Sequence, residues 1–468
     1  MILLKAEKRV PSRILEGKTQ SMLWHKNSGR KVRQTRSWVF LPIHLFWAVP
    51  LALNKFWFGA SFLLAQEFFP RFEWEFWAER GMEYGNPITN PRFRVNAPEA
   101  VLHPVFGRRS ETRSSGMLQV EFPLPLFDLK GCQLYVEAWG GHPKTGNKRV
   151  TINGRSTYYF PKVGVEEGHC THEYPVFDLK LTDLVTGYNA IQFACDQGES
   201  FWGHFIVDEL CLRAILDRDH PAVRRAGLDS FRARVFAQWD SEKELFRIAL
   251  DLQEGDASRV ARVDFYGFYE GYDENGNLQS RDWHGFTRRR QPVGIIGSTT
   301  EAPWEVIWDV SMLPAQEDVA IQAVVRFSDP PGLQYRTEIW SGLRIPDREN
   351  VRVAFYPARE IPVPFWSRAG KPEECIIPVD IPPEQMERVE LHVVTWASDP
   401  ENKDFFTLNG QSLEIPLADH RVEYAKVQVN PRFVRAGENV VRILAKTEHH
   451  GVEVLRPGPM LAIRYRTQ

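Results

Sequence analysis

Side chains that could bind a polar ligand lie together in one short stretch of the sequence. Glu199, Trp202 and His204 fall within six residues. A Trp ring can stack on the CH face of a sugar, and a carboxylate and an imidazole can hydrogen-bond to hydroxyl groups. Because loops at one end of a β-sandwich commonly carry ligand sites, this spacing predicts a ligand-binding loop.

A second polar loop stands near the end of the chain and contains Glu448, His449 and His450. Adjacent residues of a strand point to opposite faces, so the two imidazoles favour hydrogen bonding to a ligand over joint coordination of a metal. These three residues therefore join the candidate ligand-binding residues.

Two tryptophans, Trp139 and Trp396, occupy corresponding places in a duplicated pattern described below. An exposed Trp would offer a stacking surface, whereas a buried Trp kept in both copies would close one end of a sandwich. The duplication favours the structural role. Ligand binding stays the alternative, with Trp139 as the candidate ligand-binding residue.

An oxygen-rich loop lies in the middle of the chain. Asp273, Asn275, Asn277 and Asp282 supply side-chain oxygens, and Ca²⁺ binds about six to eight oxygen ligands. Where an EF-hand loop ends in a bidentate Glu, this chain has His284. An Asx-rich hairpin turn accounts for the same residues. The sequence therefore leaves two interpretations open, a calcium site or a turn.

Familiar catalytic motifs are absent from the sequence, which has no G-x-S-x-G, no H-E-x-x-H, no phosphate loop and no dinucleotide fingerprint. Glycoside hydrolysis needs two carboxyl groups about 5–10 Å apart. Several acidic residues are available for such a pair, namely Glu199, Asp208, Glu209, Asp273, Asp282 and Glu448. The sequence does not show which of them converge, so catalysis stays an alternative to binding.

The charge distribution argues against a nucleic-acid partner. The chain of 468 residues carries a formal net charge of −2, yet residues 1–65 hold eleven Lys/Arg and two Glu, a charge of +9. The rest of the chain therefore carries −11. A mildly acidic body lacks the basic surface that displaces counterions from phosphates.

The first 65 residues have the pattern of a targeting segment. A basic flank ending at Arg36 precedes a stretch rich in large apolar side chains, Trp38 to Ala65. This order is typical of a signal peptide or signal anchor, and about 28 helical residues could span a bilayer of roughly 30 Å. The alternative is a buried hydrophobic hairpin. The segment predicts export or anchoring, with membrane contact only through this N-terminal part.

The cysteines do not indicate a disulfide scaffold, since five Cys in 468 residues include no C-x-x-C pair. Cys132, Cys170, Cys195 and Cys211 fall in one region, while Cys375 stands apart. One or two disulfide bonds in that region and buried free thiols are both compatible with the sequence.

A duplication organises the chain. Residues 134–156 and 391–412 align as Leu-x-Val-x-x-Trp, a Pro-containing loop and Thr-[Ile/Leu]-Asn-Gly-x-Ser. Further along, residues 184–189 and 434–439 share a turn that ends in Gly-x-Asn, followed in each copy by an alternating strand. A repeat of this length predicts two homologous domains, since a solenoid has a shorter period.

Both copies have the pattern of β-strands. Side chains alternate with a period of two, and Asn153-Gly154 and Asn409-Gly410 are strong hairpin signals. The segment between the copies alternates in the same way, which predicts an immunoglobulin-like or fibronectin-like sandwich. Its alternating stretches are residues 231–235, 246–252, 319–327 and 333–339.

The order of strand, Asn-Gly hairpin, Gly-x-Asn turn and strand resembles the galactose-binding-like jelly roll. Residues 151–154 with 184–189 carry this resemblance in the first copy, and residues 407–410 with 434–439 carry it in the second. The resemblance implies a fold found in carbohydrate-binding modules and in accessory domains of glycosidases and polysaccharide lyases. No catalytic motif of a family is carried over, and one such fold hosts many functions.

These observations predict an all-β chain of three β-sandwich domains. Residues 1–65 form the targeting or anchor segment, 66–216 the first galactose-binding-like jelly roll, 226–345 the immunoglobulin-like sandwich and 351–468 the second jelly roll. The expected function is carbohydrate binding, with a glycan or polysaccharide as partner, outside the cell or in the periplasm. One alternative is a glycoside hydrolase or polysaccharide lyase with a site between domains, and another is a structural or adhesive ectodomain.

Overall fold

The computed structural model describes residues 69–78, 82–83, 86–87, 93–96, 117–141, 145–162, 169–196, 204–272, 280–284, 296–397, 406–417, 421–448 and 451–467. These residues form strands joined by turns and by short helices, which confirms the all-β fold class. In these ranges no helix is long and apolar enough to cross a membrane. The N-terminal segment, residues 1–65, lies outside the described residues.

The strands up to residue 216 include those of the first copy of the duplication, which we call the first repeat. They are β1 (Arg71–Trp77), β2 (Met82–Glu83), β3 (Asn86–Pro87), β4 (Phe93–Asn96), β5 (Met117–Phe122), β6 (Gly131–Trp139), β7 (Arg149–Ile152), β8 (Ser156–Tyr159), β9 (His172–Glu173), β10 (Val176–Leu179), β11 (Gly187–Ala194) and β12 (His204–Leu216). Short 3-10 turns occur at Leu126–Asp128 and Leu181–Asp183.

The middle segment opens with a one-turn helix, α1 (Pro221–Arg225), capped by His220, whose side chain accepts a hydrogen bond from the Ala222 amide. Its strands are β13 (Arg232–Asp240), β14 (Leu245–Glu254), β15 (Val260–Gly271), β16 (Ser280–His284), β17 (Gly297–Thr299), β18 (Glu305–Asp309), β19 (Gln316–Phe327), β20 (Leu333–Arg336) and β21 (Trp340–Ile345). A 3-10 turn at Ala257–Arg259 precedes β15.

The last part of the chain contains the second repeat. Its strands are β22 (Val351–Pro357), β23 (Trp366–Ser367), β24 (Glu373–Val379), β25 (Met386–Ala397), β26 (Phe406–Leu408), β27 (Gln411–Leu413), β28 (Arg421–Val429), β29 (Gly437–Ile443), β30 (Val452–Val454) and β31 (Met460–Arg466). Its 3-10 turns, Pro383–Gln385 and Pro431–Phe433, stand at the places of the two in the first repeat.

The two repeats have the same strand order. A four-stranded sheet runs β5-β11-β7-β8 in the first repeat and β24-β29-β26-β27 in the second. The opposing sheet runs β10-β6-β12-β1 in the first and β28-β25-β31-β22 in the second. Matching order in both sheets agrees with the duplication read from the sequence.

A sandwich forms in each repeat because alternate side chains of the two sheets meet in one core. In the first repeat Leu118 and Phe122 of the small sheet are buried with Leu134, Val136 and Leu212 of the larger one. The second repeat has its own apolar cluster, which includes Ile377, Leu391 and Leu461.

The larger sheet of the first repeat continues into the middle segment. Strand β1 pairs with β12 on one edge and with β20 on the other, and β20 pairs with β19. Within the described residues the sheet therefore has twelve strands. Eight follow the order β10-β6-β12-β1-β20-β19-β15-β16, and beside that path β9 pairs with β6, β4 with β12, β21 with β19 and β17 with β15. The sequence predicted separate sandwiches; the structure joins the first repeat and the middle segment by backbone hydrogen bonds.

Candidate functional site

The structure describes only part of the predicted binding loops. Glu199, Trp202, His449 and His450 lie outside the described residues. Glu448 is described, and its side chain is exposed.

Two other candidate ligand-binding residues of the first repeat, His204 and Trp139, are buried. His204 opens β12 and is 1% exposed, and Trp139 closes β6 and is 5% exposed. Their ring centroids lie 5.6 Å apart. A side chain this deeply buried offers no open stacking surface, so burial favours the structural role that the duplication indicated for Trp139.

Trp139 also lies in the contact between the two repeats. Trp139 packs in one apolar cluster with Cys170 and Ile206 of the first repeat and with Val394 and Tyr424 of the second, and Trp396 packs against that cluster. The Arg456 amide donates a 2.9 Å hydrogen bond to the Cys170 carbonyl across this contact. The tryptophan pair therefore belongs to the contact between the repeats.

The proposed calcium loop is also described only in part. Asp273, Asn275 and Asn277 lie outside the described residues, and Asp282 stands on β16 opposite Tyr269 of β15. Among the residues that the structure describes, no group of three His, Cys, Asp or Glu side chains is placed to hold a metal ion.

Charged side chains cover the face of the twelve-stranded sheet that points away from the core. We call this the polar face. Glu73 is fully buried there, and Arg336 binds both of its carboxylate oxygens, at 2.9 and 3.1 Å. Arg213 and Arg326 bind the neighbouring Glu75, and Arg326 also reaches Asp264 at 2.7 Å. Alternation along the strands places these groups on one side, away from the apolar core.

The arginines keep these carboxyl groups ionised. Burial raises the pKa of Glu73, but the guanidinium groups of Arg336, Arg71 and Arg213 outweigh it and hold the pKa well below its ordinary value. Burial likewise raises the pKa of Glu75, and Arg213 and Arg326 outweigh it. Because their oxygens are occupied by arginines, these carboxylates act as structural ion pairs rather than as groups that transfer protons.

Two other carboxyl groups converge on the polar face by strand register. Glu137 of β6 stands directly opposite Glu209 of β12. Directly opposed side chains have Cβ atoms about 5 Å apart. The hydroxyl of Tyr135 donates a 2.8 Å hydrogen bond to Glu137.

A β-bulge beside Glu209 adds a third acid. The register shifts between Val207 and Glu209, which makes Asp208 the extra residue of the bulge. The Asp208 carboxylate lies 3.7 Å from Nε2 of His172, and Nδ1 of His172 is 2.9 Å from the Tyr174 hydroxyl. The sequence named Asp208 and Glu209 as candidate acids but did not identify Glu137, because the partner of Glu209 depends on the pairing of β6 with β12.

An open aromatic surface lies on the other side of the first repeat. On the outer face of its four-stranded sheet, Tyr159 of β8 is 65% exposed and Tyr188 of β11 is 66% exposed. Large aromatic side chains usually bury most of their surface, so two exposed rings on one sheet face make it a candidate contact surface for a ligand.

Uncharged polar side chains lie between the two tyrosines, and one charged residue pairs with each tyrosine, Glu121 with Tyr188 and Arg149 with Tyr159. Gln119 and Gln192 are exposed on β5 and β11, and the hydroxyls of Thr151 and Thr157 lie 2.8 Å apart on β7 and β8. Amides and hydroxyls both donate and accept hydrogen bonds, so this floor matches the hydroxyl groups of a neutral ligand. We call the two tyrosines and this floor the tyrosine face.

Strand geometry gives the span of the tyrosine face. Tyr159 pairs with Arg149, which pairs with Ala194 at the far end of β11 from Tyr188. At about 3.3 Å per residue, the Cα atoms of the two tyrosines are about 20 Å apart along the strands and about 10 Å apart across them. A single sugar cannot contact both rings, whereas an oligosaccharide can.

The second repeat lacks this surface at the equivalent positions. The turn glycines Gly187 and Gly437 correspond, so Glu438 takes the place of Tyr188. Thr157 pairs with Thr151 as Ser412 pairs with Thr407, so Glu414 takes the place of Tyr159 two residues later. Both glutamates are exposed. One fold therefore carries two tyrosines in one copy and two acids in the other, a difference that core packing does not require.

The sequence analysis did not identify the tyrosine face. The signal was present in the aligned turns, where Gly-Tyr-Asn of the first copy faces Gly-Glu-Asn of the second. That signal becomes meaningful only once strand order shows that Tyr159 and Tyr188 share a face.

Comparisons with known proteins leave the family open, since no protein-family model and no curated protein matches this chain. Among solved structures, BuGH86 in complex with neoagarooctaose aligns at 11% identity over 50% of this chain and 33% of that chain, with a TM-score of 0.23. A beta-porphyranase of glycoside hydrolase family 86 from the human gut bacterium Bacteroides plebeius aligns at 13% identity over 50% of this chain and 37% of that chain, with a TM-score of 0.23.

A beta-glucuronidase of an uncultured Clostridium sp. aligns at 9% identity over 64% of this chain and 49% of that chain, with a TM-score of 0.17. This chain thus spans between a third and a half of the length of these three proteins. Likeness at these TM-scores carries no argument about function, so the function is argued from the geometry alone.

Proposed function

We propose that this protein binds an oligosaccharide chain without acting on it, and that the tyrosine face of the first repeat binds uncharged sugar units of that chain. The observation that carries the proposal is the pair of exposed rings, Tyr159 and Tyr188, where the duplicated fold has Glu414 and Glu438. Tyrosine rings stack on the CH faces of sugars, and the glutamine and threonine side chains between them bind hydroxyl groups.

The shape of the surface sets the expected affinity. An open sheet face does not enclose its ligand, as the pockets that bind small molecules tightly do. We therefore expect a Kd between micromolar and millimolar, on the order of −4 to −8 kcal/mol. Affinity should rise with chain length until the glycan reaches both tyrosines, because a shorter ligand contacts only one ring.

The test is a glycan array followed by calorimetry with oligosaccharides of increasing length. Tyr159→Ala and Tyr188→Ala should each weaken binding of the long ligand about tenfold, and Tyr188→Phe should retain most of the affinity. Glu414→Ala and Glu438→Ala are the matched controls at the equivalent positions of the second repeat and should leave binding unchanged. Unchanged affinity in a folded Tyr159→Ala, Tyr188→Ala double variant would refute the proposal.

The loop at the end of the first repeat is a second proposed contact for the same glycan. Trp202 and Glu199 would bind by stacking and hydrogen bonding, and Glu448, His449 and His450 would form the matching loop of the second repeat. Trp202→Ala should weaken glycan binding while the protein keeps its melting temperature. A fall in melting temperature without a change in affinity would assign Trp202 to the core.

We infer that both repeats are galactose-binding-like jelly rolls. The shared strand order of the two sandwiches and the matching Asn-Gly turns at Asn153 and Asn409 support this assignment. Export or anchoring by residues 1–65 is proposed with it, on the basic flank and apolar stretch of the sequence. Fractionation of cells that make the full chain tests the export: the protein should be found outside the cytoplasm and should remain inside when residues 1–65 are removed.

Glycoside hydrolysis is the second candidate function, and the register of Glu137 opposite Glu209 favours it. Two glutamates whose Cβ atoms lie about 5 Å apart are close enough to act as the pair of a retaining glycosidase, in which one carboxylate attacks and the other carboxylic acid protonates the leaving oxygen. Release of reducing ends from any bound oligosaccharide, lost in Glu209→Gln and in Glu137→Gln, would establish this function. Binding without release would leave the binding proposal alone.

A further inference from the structure

One arginine of the second repeat has hydrogen-bonding capacity that the protein does not use. Arg368 follows β23, and its guanidinium lies over the ring of Trp366 with a distance of 3.6 Å to the ring centroid. Its Nη1 donates to the Ser367 carbonyl at 3.0 Å. Its Nη2 is buried and has no hydrogen-bond partner among the described residues. Buried donors in proteins are nearly always paired with protein groups, water or a bound ion, so this one is a candidate contact for a ligand.

A second unused polar atom stands on the adjoining segment. The amide of Ala369 donates a 2.9 Å hydrogen bond to the carbonyl of Thr447, which holds the two segments together. The hydroxyl oxygen of Thr447 is buried and, within the described part of the chain, also has no partner. Two unpartnered donors on adjoining segments are the groups with which proteins bind the oxygens of an anion.

The backbone packs closely at this place. A Cβ atom at Gly451 would lie 2.0 Å from the Ser367 carbonyl oxygen and 3.0 Å from Nη1 of Arg368. Only glycine fits where the chain after the Thr447 loop returns to β23. The close approach places the Ser367 backbone against Gly451, and the Ser367 carbonyl in turn accepts the hydrogen bond from Nη1 of Arg368.

Arg368 is charged, and its surroundings hold Glu453 near it without an ion pair among the described residues. Burial lowers the pKa of Arg368 to about 10, although Glu453 and Cys170 act in the opposite direction. The group is therefore protonated at neutral pH. Among the described residues, no carboxylate lies within ion-pair distance of it, in contrast to Arg213, Arg326 and Arg336 of the polar face.

We propose that Arg368 and Thr447 form a binding site for an oxyanion substituent of a glycan, a carboxylate or a sulfate group. The planar guanidinium binds such a group through two parallel hydrogen bonds, and the Trp366 ring beneath it holds the guanidinium plane in place. The site lies at the contact between the repeats, where the backbone amide of Arg456 in the second repeat donates a hydrogen bond to the Cys170 carbonyl of the first. The identity of the ligand as a glycan rests on the proposed function, whereas the anion site does not.

Calorimetry at constant ionic strength tests the site with four probes: sodium sulfate, an oligogalacturonide, a sulfated galactan oligosaccharide and the desulfated form of that oligosaccharide. At least one anionic oligosaccharide should bind at least tenfold more tightly than the neutral one. Arg368→Gln should abolish that difference, and Arg368→Lys should restore only part of it, because Lys lacks the bidentate fork. The anionic oligosaccharide whose affinity falls in Arg368→Gln, the oligogalacturonide or the sulfated galactan, identifies the bound group as a carboxylate or a sulfate.

Further variants separate the possible outcomes. Thr447→Val should weaken anion binding by a smaller factor and serves as the second variant if Arg368→Gln does not fold. Arg442→Gln, which removes an exposed arginine of the same repeat, is the matched control and should change nothing. Equal binding of charged and neutral oligosaccharides, or unchanged anion binding in Arg368→Gln and Thr447→Val, would overturn the proposal. Anion binding that persists in the double Tyr159→Ala, Tyr188→Ala variant would support this site even if the tyrosine face fails its own test.

Discussion

The side-chain amide of Asn153 donates a 2.8 Å hydrogen bond to Oδ1 of Asn189, and Asn409 donates the same 2.8 Å bond to Asn439 in the second repeat. In both copies the first Asn also accepts a hydrogen bond from the amide that follows the second Asn. Each pair therefore ties the Asn-Gly hairpin to the Gly-x-Asn turn, and the two motifs that reveal the duplication in the sequence are the two halves of one buried network.

The first prediction concerns this network. Asn189 is fully buried, accepts from the Val185 amide and donates to the carbonyls of Val185 and Gly187. Asn189→Ala should lower the free energy of unfolding by about 3 kcal/mol, because it leaves several buried backbone groups unsatisfied. Asn439→Ala should cost a similar amount, while the exposed Gln411→Ala should cost less than about 0.5 kcal/mol. Urea unfolding provides the measurement, and a small loss in either Asn variant would contradict the assigned role.

The second prediction concerns acid stability. Burial raises the pKa of Glu73, but its arginine partners outweigh burial and hold the pKa well below its ordinary value of 4.5. As the pH falls, the unfolded chain therefore takes up a proton at this site before the folded protein does. The stabilisation is thus complete above about pH 4.5 and is lost as pH falls through the folded pKa. Glu73→Gln should reduce stability at neutral pH by about 3 kcal/mol and flatten its decline toward low pH.

Chemical denaturation between pH 7 and pH 3 distinguishes this effect from general acid sensitivity. The exposed Glu438→Gln variant serves as the control and should follow the wild-type curve. Parallel pH curves for Glu73→Gln and the wild type would show that the network contributes nothing specific to acid stability.

The third prediction concerns the contact between the middle segment and the second repeat. Glu244 accepts two hydrogen bonds from Arg464, at 2.5 and 2.8 Å, and one from Arg348 at 2.5 Å. The hydrogen bond from Arg464 is the main reason that the pKa of Glu244 lies below its ordinary value. Glu244→Gln should lower stability by about 1–2 kcal/mol, since the pair is only partly buried.

Limited proteolysis reports on the same contact. The protease should cleave the Glu244→Gln variant faster than the wild type within residues 345–350. The Glu254→Gln variant, which loses only an exposed ion pair with Arg232, should be cleaved at the wild-type rate. Identical cleavage patterns would mean that apolar packing alone holds the two parts together.

The fourth prediction concerns the thiols. All five cysteines are free and buried, and burial raises the pKa of Cys132, Cys195 and Cys375 to about 12. Thiolates, not thiols, react with disulfide reagents, so the native protein should resist labelling at pH 8. All five should react after unfolding in urea without reductant. Fewer than five labelled thiols in the unfolded protein would indicate a disulfide bond.

Much of the fold was predictable because its signals are local. Period-two alternation gave the strands of both repeats and of the middle segment, as in β13 and β14, since the core selects every second side chain. The Asn-Gly turns were predictable because Asn153 and Asn409 adopt positive φ, a conformation that few residue types accept. The duplication was readable because the Asn network needs the same residues at the same spacing in each copy.

Strand pairing between distant segments decided the rest. The sequence could not show that β1 joins β12 to β20, because a strand pattern specifies a buried face but not the neighbour at each edge. For the same reason it favoured a structural role for Trp139 without excluding ligand binding, and only the structure shows that the contact with the second repeat buries this ring. Tyr159 and Tyr188, Glu137 and Glu209, and Arg368 and Thr447 are each brought together only by the tertiary structure, because alternation fixes which side of a strand a residue takes, while the pairing of strands fixes which residues meet there.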